Sequence, residues 1–224
     1  MDLALVFDFL RQLAANNTTA WMQAHRDEYQ RARDNFAALV TEVLRQATPV
    51  APELAGLTPT QVLFRLHKND RSQQDPEPYK RRFGSGLVPG GRHAERAGYF
   101  LALMPDGNSW LRAGRFTPTP AELAAIRQEI HYSGAAFHQL LSSPALLAHF
   151  PDGLDRSVAQ LTRPPRGYAA NDPDMAFLKL KSFGVNSYFR DAEVLQPDFI
   201  ARVVERIAAA RPWVSFLNQA LHRE

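Results

Sequence analysis

The sequence predicts an α+β fold, a mainly antiparallel sheet flanked by N-terminal and C-terminal helices. Two observations carry that reading. Apolar residues recur at helical spacing near both ends of the chain, and alternating, strand-like stretches with turn residues between them form a block in its middle. At 224 residues, 45% hydrophobic and 22% charged, the chain has the composition of a packed globular protein. No repeat, low-complexity tract or clear linker divides it, so one domain over residues 1–224 is expected.

Leu3, Val6, Phe7, Leu10 and Leu13 share one helical face, and the helix should end near Asn16 and Asn17. Asp2 and Asp8 stand where a leader would be basic, so the segment reads as a core helix. Asn17 or Thr18 caps a second helix that runs into 41–47, with Trp21, Tyr29, Phe36, Val40 and Val43 spaced for burial. Three prolines and a glycine between Thr48 and Thr60 then stop it.

Val62, Phe64 and Leu66 alternate with Leu63, Arg65 and His67, which predicts a strand delivering Arg65 to one face. GSGLVPGGR, residues 84–92, reads as a turn-rich loop. GYFLALMP and NSWLRAGRF read as a hairpin about Asp106 and Gly107. From Thr119 the pattern turns helical through Leu123, Ile126 and Ile130, breaks at Ser133 and Gly134, and resumes with Phe137, Leu140 and Leu141. The loop LTRPPRGYAANDPDM leads to FLKLKSFGVNSYFR, a short helix or extended entry followed by a strand. Helices at about 197–210 and 212–222 close the chain.

With no cysteine, disulfides, thiolate ligands and thiol redox chemistry are excluded, and a reducing cytoplasm is the expected location. No apolar run approaches the roughly 20 residues that cross a bilayer, so no membrane partner is expected. The seven histidines form no His-x-His or His-Glu-x-x-His, and His131 and His138 have no obvious carboxylate partner, so neither a metal nor another cofactor is expected. Ser85 lies in no nucleophile elbow, and the glycines of 84–92 lack the Gly-Lys-Ser/Thr ending of a phosphate loop.

Charge is more informative. The formal net charge is +3, yet residues 65–96 hold eight Lys/Arg against four Asp/Glu, so the whole excess lies there. Within that segment Arg65, Arg71, Tyr79 and Lys80 bracket a loop stiffened by Pro76 and Pro78. Paired guanidinium N–H groups, an ammonium charge and a phenolic hydroxyl suit an oxyanion, with Asp75 holding an arginine in place. The competing reading is a solvated ion-pair network with Asp70, Asp75 and Glu77. Lys179 and Lys181 would fall on one side of an extended piece and add to an anion site; the bland alternative is a lysine-protected strand edge.

LRQLAANNTTAW, the gapless stretch FRLHKNDRSQQDPEPYK from Phe64 to Lys80, GYF, the glycine of AGRF, Arg127, PPRGY and LKLKSF together resemble the bacterial and fungal family of uncharacterised proteins called domain of unknown function 2461. The central stretch keeps the family's pattern at Arg65, Arg71, Asp75, Pro78, Tyr79 and Lys80. It departs at Lys68 and Asn69, which replace an arginine and an aspartate, at Ser72, which replaces a phenylalanine, and at Pro76, which replaces a lysine. The resemblance implies a single α+β domain and marks the same basic residues, but it assigns no reaction. The expected ligand is small and anionic or phosphorylated, bound by Arg65, Arg71, Asp75, Tyr79, Lys80, Lys179 and Lys181. The alternatives are nucleic-acid binding through residues 80–96, with Tyr99 or Trp110 stacking, and a protein-interaction module without catalysis.

Overall fold

A computed structural model describes residues 1–68, 77–158 and 160–222. Its helices are α1 (Leu3–Ala15), α2 (Thr19–Ala24), α3 (Arg26–Ala47), α4 (Pro59–Val62), α5 (Pro120–Tyr132), α6 (Gly134–Leu141), α7 (Pro144–Leu147), α8 (Met175–Leu178), α9 (Asp191–Val194) and α10 (Phe199–Leu221). The strands β1 (Phe83–Leu87), β2 (Gly98–Leu103), β3 (Ser109–Arg115) and β4 (Phe183–Phe189) form one antiparallel sheet in the order β1-β2-β3-β4. The predicted α+β class holds. No described helix is long and apolar enough to cross a membrane.

By its internal contacts the chain divides into two compact units: Met1–Ala94, Phe100–Leu111 and Tyr188–Glu205 make the first, and Glu95–Tyr99, Arg112–Ser187 and Arg206–Glu224 the second. In the first, the buried face of α1 (Val6, Phe7, Leu10, Leu13) and that of α3 (Phe36, Leu39, Val40, Val43) supply much of the core. Asp2 caps α1 by accepting from the Leu5 N–H, and Thr18 caps α2 by accepting from that of Trp21. The single helix expected from Thr18 to residue 47 is interrupted at His25. Its ring stacks on Trp21 at 4.1 Å, and Nδ1 lies 2.8 Å from the Trp21 carbonyl oxygen.

Residues 62–67 do not form the expected continuous strand. Pro59 at the first helical position and the Gln61 side chain, which accepts from the Thr58 N–H at 2.9 Å, start a helical turn instead. Beyond it the chain makes two isolated antiparallel bridges, Leu63 to Ser85 and His67 to Tyr79, and Phe64 is 37% exposed. GSGL is likewise strand rather than loop. A Cβ at Gly86 would lie 3.1 Å from the Phe64 ring and 3.3 Å from that of Phe100, so glycine serves close packing there. The β2–β3 hairpin forms where expected, with Asp106 (φ 64°) and Gly107 (φ 74°) turning the chain and Asp191 accepting from both of their N–H groups at 2.9 Å. Arg11 reaches the same carboxylate at 2.7 Å.

In the second unit Ile126, Ile130, Phe137, Phe150, Phe183 and Trp213 lie in the core. Thr119 and Glu122 form a capping box at the start of α5. The two closing helices expected are one, α10, with Pro212 inside it. The buried residues Ala210, Trp213, Val214 and Leu217 around the proline hold the helix through the loss of one backbone donor.

Glu122 also accepts from Arg115 Nε and Nη2, each at 2.9 Å, and from the Thr119 N–H at 2.6 Å. Burial pushes its carboxyl up, but the hydrogen bonds from Arg115 and Thr119 outweigh that and hold it below the usual carboxylate range. A depressed folded-state pKa gives stability that is present above the unfolded value and is lost as pH falls through the folded one. Glu122→Gln is therefore expected to cost about 1–3 kcal/mol at neutral pH. In urea melts against pH, the gap to the unmutated protein should close below roughly pH 4. A gap that persists unchanged in acid contradicts this account.

Candidate functional site

The predicted basic loop is rooted in a short antiparallel pairing within the first unit. The Lys68 N–H donates to the Pro78 carbonyl and the Lys80 N–H to that of Leu66, both at 2.9 Å, around a bridge between His67 and Tyr79. Arg71 and Asp75 lie outside the described residues. Asn17 clasps the returning segment: its Oδ1 accepts from the Tyr79 N–H at 3.1 Å, and its Nδ2 donates to the Tyr79 carbonyl at 2.9 Å and to Glu77 at 3.1 Å. That gives the Asn-Asn pair ahead of Trp21 a structural role. One amide satisfies both backbone groups of the residue before Lys80.

Alternation along the paired segment separates Tyr79 from its neighbour. The Tyr79 ring meets that of His67 edge-on at 5.3 Å. Tyr79 also acts electrostatically on Tyr29, whose pKa is raised by burial, with Arg33 pulling it down and Tyr79 adding to the rise. Lys80 is half-buried; its Nζ donates to the Arg65 carbonyl at 2.8 Å and stands 6.0 Å from the centre of the Phe64 ring. Burial pushes the Lys80 ammonium below the usual lysine range, and the charges of Arg82 and Arg65 push it the same way.

Among the described residues the acidic side chains do not cancel this cluster. Glu77 binds Arg81, at 2.9 Å through Nε and also through Nη2, and lies 3.8 Å from Lys68. Among the described residues no carboxylate pairs with Arg65 or Lys80. Among the described residues the ion-pair reading thus holds for Glu77 with Arg81 and Lys68; Asp70 and Asp75 lie outside them. Arg82, whose role spacing alone did not separate from its neighbours, stands over the Trp110 ring at 6.0 Å.

Lys179 and Lys181 belong to the second unit. Lys179 ends α8 with a helical backbone (φ −76°, ψ −16°), so the same-side argument for an extended piece does not apply; its Nζ lies 3.4 Å from the Thr162 carbonyl oxygen. The expectation that His131 and His138 lack carboxylates is corrected. Asp172 lies 3.0 Å from His131 Nδ1 and Asp174 2.6 Å from His138 Nε2, the histidines sitting on α5 and α6. Among the described residues no group of three or more such side chains is placed to hold a metal ion.

No curated protein and no solved structure matches this chain. A family model does: the one described as conserved hypothetical protein (DUF2461) matches residues 5–216, nearly the whole length, and the chain belongs to that family.

Proposed function

We propose that the first unit binds a small anionic ligand, a phosphorylated metabolite being the class that fits best. The observation that supports this is Lys80, half-buried beside the like charges of Arg65 and Arg82 with no carboxylate on it or on Arg65 among the described residues. An anion would relieve that repulsion, and the loss of water around Lys80 would strengthen its attraction. In this reading Arg65, Arg71 and Lys80 neutralise the ligand, Tyr79 orients it, and Asp75 positions an arginine. A reducing, cytoplasmic setting accords with a chain that has no cysteine.

The test is a thermal-shift screen against phosphorylated metabolites, nucleotides, carboxylates and short oligonucleotides, run with Lys80→Ala and Arg71→Ala. A ligand at a hundred times its Kd adds about 2.7 kcal/mol of stability to the unmutated protein, and both variants should lose that shift while folding normally. An unchanged shift in Lys80→Ala rejects the assignment. Nucleic-acid binding is the second reading, supported by Arg82 lying over Trp110. It requires oligonucleotide affinity that falls steeply with salt.

A further inference from the structure

The second unit holds a cation of another kind. Arg127 on α5 is buried, at 9% exposure, although it carries a full charge. Its Nε donates to the Leu178 carbonyl at 2.7 Å and its Nη2 to that of Leu180 at 3.1 Å. Both partners are neutral. Among the described residues no carboxylate pairs with Arg127, and Nη1 has no acceptor. A buried charge without a counter-charge is costly, and a guanidinium with N–H groups to spare invites an anion.

Its surroundings are built to help. His131 lies one helical turn on, at the spacing that puts both side chains on the same side of α5. Tyr168 meets the His131 ring edge-on at 5.6 Å. Its phenol is pushed above its ordinary range by burial, drawn back by Arg127 and raised further by Asp172 and Tyr132, so it is a protonated donor at neutral pH. Asp172 is 5% exposed and has both oxygens engaged, Oδ2 with His131 Nδ1 at 3.0 Å and Oδ1 with the Asp174 N–H at 2.8 Å. That contact orients the half-exposed imidazole and leaves Nε2 as its free nitrogen. Arg163 and Arg166, both exposed, add positive charge on the loop that carries Tyr168.

We propose that Arg127, the Tyr168 hydroxyl and Nε2 of His131 form a second oxyanion site, one that takes a phosphate monoester group. Two donors, one of them a permanent cation, and an imidazole nitrogen free to accept from a phosphate hydroxyl suit a phosphate group better than a carboxylate, which has no hydroxyl to give. The site shares no residue with the basic cluster around Lys80, so either can fail without the other.

Calorimetric titration of the full chain with inorganic phosphate, and in parallel with acetate, tests this. Tyr168→Phe and His131→Asn leave the Arg127 bonds to Leu178 and Leu180 in place, and each should weaken phosphate binding about tenfold or more at an unchanged melting temperature. Lys80→Ala removes any phosphate held by the first-unit cluster and should leave the component that Tyr168→Phe and His131→Asn weaken as it is. The proposal is overturned by absence of phosphate binding in the unmutated protein, by equal binding in both second-unit variants, or by acetate binding as tightly as phosphate. A loss confined to Lys80→Ala also overturns it and moves the anion to the first unit.

Discussion

Replacing Gly114 by alanine is expected to leave almost no folded protein. Gly114 lies in β3 at φ +140°, a backbone conformation that L side chains rarely adopt. A Cβ there would overlap the Phe183 carbonyl oxygen and lie 2.8 Å from the Gly184 Cα, both on β4 of the same unit. Neither atom belongs to a side chain that can swing aside, so the strands must part or the backbone must distort. Two penalties then coincide, a disfavoured φ and a clash with backbone, and a loss above about 4 kcal/mol is expected. Gly184→Ala is the control. Its Cβ would press on the Phe116 ring, with Cζ at 2.6 Å, and a ring can rotate, so about 1–3 kcal/mol is expected. Urea denaturation followed by circular dichroism measures both. A Gly114→Ala midpoint near that of the unmutated protein would refute the close β3–β4 approach.

What could be read in advance was what local chemistry decides. The β2–β3 hairpin follows from Asp106-Gly107, and the start of α5 from Thr119 and Glu122, because the residues that make each turn or cap are neighbours in sequence. Val62 misled because the four-residue helical turn that ends on it, fixed by Thr58, Pro59 and Gln61, is too short to leave a period. The strand through Gly84 and Gly86 was hidden because its glycines answer to the rings of Phe64 and Phe100. In the candidate site, residue type and spacing picked out Arg65, Tyr79 and Lys80. The Asn17 clasp joins residues 62 apart, and the carboxylates on His131 and His138 lie 41 and 36 residues away, so only the folded chain brings them together.

Phe83→Ala is the second large effect, and it links core to candidate site. Phe83 opens β1 immediately after Lys80-Arg81-Arg82 and is 4% exposed. Its ring stacks with those of Phe36, Phe9 and Tyr29, at 5.6, 6.0 and 6.3 Å between centres. Truncation removes apolar contact with three aromatic neighbours from α1 and α3, which are too rigid to fill the space, so a loss of about 3–5 kcal/mol is expected in urea melts. Phe83→Leu fills most of the cavity and should cost clearly less. The pair also tests how Lys80 is held. If β1 is anchored through Phe83, the alanine variant, studied well below its melting temperature, should bind any ligand that Lys80 recognises more weakly, while the leucine variant binds as the unmutated protein does. Full affinity in a destabilised Phe83→Ala protein would instead mean that the Asn17 clasp on Tyr79 suffices to position Lys80, since that is the other tie on the same segment.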